Sequence, residues 1–64
     1  MPFEAALQRV RADFLEMPGL RLTAAQARRL WALEAEVCSA VLAELVASRF
    51  LMHSRNDSFV RADY

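Results

Sequence analysis

Leu22-Thr23-Ala24-Ala25-Gln26-Ala27-Arg28-Arg29-Leu30-Trp31-Ala32-Leu33-Glu34-Ala35-Glu36-Val37 reads as one helix or as two, and the architecture of the chain turns on which. Thr23, with Gln26 three residues later, forms a capping box. The Thr oxygen accepts from an amide in the first turn, and the Gln side chain reaches back to the Thr amide. Helix two therefore starts at Ala24, with Ala24, Ala27, Leu30 and Trp31 facing inward and Arg28 and Arg29 near its polar flank. Residues 32–36 contain no glycine, proline or strong cap, so propensity alone carries the helix on to Ser48. The two-helix reading needs a break here, often made at a glycine. The reading adopted has the break, with helix two at 24–32 and helix three at 35–48. The alternative is a helical hairpin whose second helix runs unbroken over 24–48.

Upstream, Phe3, Ala6, Leu7, Val10 and Phe14 recur at helical spacing, with Glu4, Gln8, Arg9, Arg11 and Asp13 between them. Helix one therefore covers 2–17, with Pro2 in a first turn that needs no amide from it. Pro18-Gly19 stops it, because the residue before proline avoids helical angles and glycine permits the turn. Leu20-Arg21-Leu22 alternates as a short strand at 20–22. Downstream, Val37, Cys38, Val41, Leu42, Leu45 and Val46 give helix three a broad apolar face, and Arg49 near its end complements the helix dipole. The period then changes. Residues 50–54 and 58–61 flank Arg55-Asn56-Asp57, and Asn and Asp tolerate the left-handed conformation of a tight hairpin. These segments form a β-hairpin at 50–62. The whole chain, 1–64, is one mostly helical α+β domain of three helices and a C-terminal hairpin.

Composition narrows the functional classes. A chain of 64 residues buries only about 60% of its unfolded surface, so its stability is marginal without help. A single cysteine, Cys38, allows no intrachain disulfide, and Cys38 with the lone His53 cannot close a four-ligand zinc site. Apolar residues make up 56% of the chain, more than so small a body can bury, which points to a homodimer. Formal net charge is zero, without the basic excess typical of nucleic-acid binders. No apolar run reaches the roughly 18 residues of a membrane span. The N-terminus has no signal-peptide pattern, so the expectation is a cytoplasmic chain with Cys38 reduced.

The pattern Leu22-Thr23-x-x-Gln26-Ala27-x-x-Leu30, then Leu33, then Val41-Leu42-x-x-Leu45-Val46-x-x-x-Phe50-Leu51, resembles the winged helix-turn-helix domains of bacterial transcription regulators. The resemblance spans residues 20–61 and rests mainly on apolar spacing. Two positions depart from it: Ala32 stands where the family often has its turn glycine, and Arg49 where it usually has glycine before the first wing strand. The resemblance implies a small, non-enzymatic DNA-binding protein, a transcription regulator or accessory, with helix three in the major groove of double-stranded DNA.

The residues support this unevenly. Base reading needs donors such as Arg, Lys, Asn or Gln. The matching positions carry Glu36, Val37, Ser39, Ala40 and Ala43, of which only Ser39 is a neutral hydrogen-bonding side chain. Residues 20–33 hold Arg21, Arg28 and Arg29 with no acid, whereas 34–48 hold Glu34, Glu36 and Glu44 with no base. The candidate DNA contacts are Arg28 and Arg29 to phosphates, Ser39, Arg55 at the hairpin tip, and Arg61. The alternative is a protein-interaction or dimerisation module that presents Val37, Ala40, Ala43 and Ala47 to a partner. His53 reads as a surface strand residue without a carboxylate partner, Cys38 as a small core residue and Trp31 as a core anchor. No catalytic residue, cofactor, metal site or small-molecule substrate is indicated.

Overall fold

The structure is a computed structural model that describes residues 2–63. Its elements run α1 (Phe3–Glu16), β1 (Leu22–Thr23), α2 (Ala24–Trp31), α3 (Ala35–Ala47), β2 (Leu51–His53) and β3 (Ser58–Arg61). Three helices thus stand beside a three-stranded antiparallel sheet of order β1-β3-β2, a mostly helical α+β fold.

In α1 the buried residues Ala6, Val10 and Phe14 fall four apart, one above another along the helix. Pro2 is the extended residue before the helix (φ −63°, ψ 153°), and its carbonyl accepts from the Ala6 amide. It therefore precedes the first turn and does not belong to it. Phe3, expected on the inner face, is 41% exposed. Met17 has left the helix at φ −126°, and the Leu20 amide closes a turn onto its carbonyl across Pro18-Gly19. That turn claims Leu20, so the first strand is Leu22–Thr23 and not 20–22.

The capping box is formed: the Thr23 amide donates to Gln26 Oε1 at 2.9 Å, and the Gln26 amide donates to Thr23 Oγ1 at 3.2 Å. The continuous-helix alternative is overturned at Ala32. This residue takes left-handed angles (φ 51°, ψ 45°), its amide and that of Leu33 both bond to the Arg28 carbonyl, and α2 ends at Trp31. The reversal drives Leu33 into the core at 8% exposure, whereas Leu30, expected inside, is 52% exposed. A helix continued through Ala32 would forgo that burial, roughly 1.5–3 kcal/mol for a full leucine. Tertiary packing thus overrides propensity here.

Helix α3 is the central element, packed on α1, α2 and β2 through Cys38, Val41, Leu42 and Leu45. It closes with a Schellman motif: the Phe50 amide donates to the Leu45 carbonyl (2.9 Å) and the Arg49 amide to the Val46 carbonyl (3.0 Å). Arg49, at φ 65°, is the left-handed residue of that motif. It lies beyond the helix, whose last turn holds no base, and so is not the dipole partner expected of it. The β2–β3 hairpin turns through Ser54-Arg55-Asn56-Asp57, closed by the Asp57 amide on the Ser54 carbonyl, with Asp57 left-handed at φ 60°.

The core joins these elements with Trp31, Leu33 and Leu51. The Phe14 and Trp31 rings meet at 6.1 Å and a 47° tilt, within the range that aromatic pairs favour. No described helix is long and apolar enough to cross a membrane.

Candidate functional site

The outer face of α3 meets the hairpin in a groove of ≈ 380 Å³. Ser39, Leu42, Ala43, Val46 and Ala47 of α3 form one wall, His53 and Phe59 the other, and Ala24 at the start of α2 closes the end. The groove is wide because α3 places alanines where larger side chains would fill it. Its hairpin wall is set by register. His53 and Phe59 are cross-strand partners, and their rings stack at 4.5 Å and 2° between planes. The hairpin turn returns Asp57 to His53, so that Asp57 Oδ1 lies 2.7 Å from His53 Nε2. The carboxylate partner that His53 seemed to lack is therefore four residues ahead of it. Ser39 lines the same groove, but no hydrogen bond joins it to His53 among the described residues.

The expected DNA contacts scatter. Arg28 and Arg29, both exposed in the last turn of α2, share a shallow depression with Ala25 and Leu33. Ser39 sits in the groove, and Arg55 is exposed in the hairpin turn. Arg61 is held in place. Its side chain is only 15% exposed, its Nε and Nη2 donate to the Asp63 carboxylate at 3.0 and 2.9 Å, and its guanidinium covers the Phe50 ring at 4.7 Å. Among the described residues the only ion pairs are Arg61–Asp63 and His53–Asp57, which leaves Arg28, Arg29 and Arg55 outside any.

Of the four apolar positions expected to meet a protein, Ala43 and Ala47 line the groove and Ala40 is exposed beside it. Val37 is half-buried against the core, turned inward by its place next to Cys38 on the packed face. The sequence reading puts Ala24, Leu42 and Val46 on inner faces, His53 on the surface and Phe59 in a hairpin strand, so it expects none of them in a site. The hairpin pair was within reach, since a turn centred on Asn56 places residues equidistant from it opposite each other.

Cys38 is fully buried, its thiol near the Ala24 carbonyl at 3.8 Å. Burial pushes that thiol above its ordinary value, with the Arg28 guanidinium opposing the shift, which leaves a poor nucleophile. No protein-family model matches this chain, and neither a curated protein nor a solved structure shows significant similarity to it.

Proposed function

We propose that the chain is a non-enzymatic winged-helix module that acts by docking protein in the groove between α3 and the hairpin, and not by reading DNA bases. The order of helix, short strand, two helices and hairpin, with β1 paired to the outer side of β3, supports the winged-helix reading. The groove itself carries the docking reading. Its lining is almost wholly apolar, and the exposed face of α3 offers Glu36, Ser39, Ala40, Ala43, Glu44 and Ala47 without one base. Apolar area gains about 25 cal/mol per Å² when a protein covers it. Glu36 and Glu44 stand outside the lining, but with them the exposed face of α3 carries acid and no base to meet a phosphate.

A second reading, DNA association by a regulator or its accessory, draws on Arg28, Arg29 and Arg55, which are exposed and outside any ion pair among the described residues. Titration of labelled duplex DNA at about 50 and 200 mM salt, where phosphate contacts reveal themselves, separates the two. The docking reading expects no complex at the lower salt, together with an apolar fluorescent dye that binds wild type at about 0.1 μM chain, dilute enough to leave the groove open, and is excluded by Ala43→Glu. A DNA complex that collapses with salt and is lost on replacing Arg28, Arg29 and Arg55 by Ala overturns docking in favour of DNA association.

A further inference from the structure

We infer that the occupant of the α3 groove is a second copy of this chain, related by a two-fold axis, with α2 of each copy lying against α3 of the other. The inference rests on the docking reading and names its partner. Charge complementarity carries it. The exposed Arg29 of α2 and the exposed Glu36 of α3 form no ion pairs within the chain among the described residues. A two-fold contact repeats every pairing in reverse, so Arg29 of each copy can meet Glu36 of the other.

Other pairings fail on the same charges. Packing α3 on α3 brings no base to Glu36, and packing α2 on α2 brings no acid to Arg29. The crossed arrangement supplies each with its opposite. At 100° per residue, Arg29 lies at the centre of the solvent face of α2, with Leu30 on one flank between it and the buried side. Leu30 is 52% exposed. On α3 the same spacing aligns Glu36 with Ala40, Ala43 and Ala47. The contact therefore seats Leu30 of the partner subunit in the groove over Ala43, about 10 Å along α3 from Glu36, a distance that the long side chain of Arg29 of the partner subunit spans. Zero net charge leaves no long-range repulsion between copies. Covering Leu30 and the groove adds apolar burial to a small core.

Sedimentation equilibrium on the full chain, from about 10 μM to about 1 mM, tests this. The expected result is a concentration-dependent dimer that Ala43→Glu, or Ala47→Glu as a second groove variant, converts to monomer with unchanged circular dichroism. Arg29→Glu and Glu36→Arg each weaken the dimer by about tenfold, and the two together restore it. A monomer throughout the range overturns the inference, as does a dimer indifferent to both groove variants, or a double reversal that fails to rescue. None of these results depends on DNA, so a failure here is distinct from a failure of the docking reading, which the duplex titration reports.

Discussion

The indole N–H of Trp31, near the end of α2, donates to the Asp13 carboxylate on α1, 18 residues earlier in the chain. Both rims of the Phe14–Trp31 aromatic contact are thereby fastened. A hydrogen bond to a charged acceptor contributes about 1.5–3 kcal/mol. Asp13→Ala is expected to lower stability by about that amount, read as a fall in the urea midpoint. Trp31→Phe keeps part of the ring packing but strands the half-buried carboxylate, and should cost at least as much. An Asp13→Ala midpoint equal to wild type refutes the role given to this bond.

The one glycine of the chain, Gly19, is not left-handed, whereas Ala32, Arg49 and Asp57 are. A side chain in that region costs roughly 1–2 kcal/mol, while glycine loses about 0.5–1 kcal/mol of extra backbone entropy. Ala32→Gly and Arg49→Gly should therefore each stabilise by about 0.5–1 kcal/mol, in spite of enlarging the unfolded ensemble. Gly19→Ala should also stabilise, by about 0.4–1 kcal/mol, because the φ of Gly19 is not positive and the residue is exposed. Thermal melts of the three variants decide this, and a lowered Tm for Ala32→Gly contradicts the turn geometry.

The buried Cys38 thiol gives a pH signature. Its folded value lies above the ordinary 9.0 because burial disfavours the thiolate. In the window just above pH 9.0 the unfolded chain loses that proton and the folded chain keeps it, so stability falls as pH rises through the window. Below it the group contributes no slope. Urea midpoints at about pH 8 and pH 10 should drop more for wild type than for Cys38→Ala. Parallel drops would show that the thiol is not desolvated. Arg28→Ala removes the charge that favours the thiolate and should slow alkylation of Cys38 in the folded state.

Ser54 Oγ is enclosed and has no hydrogen-bond partner among the described residues. A buried hydroxyl left unpaired costs about 1–3 kcal/mol in desolvation. Ser54→Ala should leave stability unchanged or raise it by up to about 1 kcal/mol, since the backbone bond from the Ser54 amide to the Ser58 carbonyl remains. A clear loss of stability would mean that the hydroxyl has a partner, a bound water for example.

Local chemistry was the legible part of this chain. Thr23 and Gln26 announce the start of α2 because a capping box is complete within four residues, and Arg55-Asn56-Asp57 announces its turn through residues that tolerate left-handed angles. The break at Ala32 was less legible: alanine is the best helix former, and the cause of the break lies in the burial of Leu33. Leu20 was drawn away from β1 by a backbone bond to Met17 that its apolar side chain does not signal. The groove was the least legible feature. Its walls come from different elements, and the partner of His53 becomes its neighbour only when the hairpin closes.

The tight turn at Ser48, Arg49 and Phe50 joins the two walls of the groove directly, because α3 ends at Ala47 and β2 begins at Leu51. Almost the whole groove is therefore built from one unbroken run of chain, and its contacts are local in sequence. Hairpins form in about 1–10 μs and short helices faster, so this run can assemble well before α1 docks. The docking face would then exist, with its apolar lining open, at the stage when nascent chains are most prone to associate. Partner capture and folding would then overlap in time.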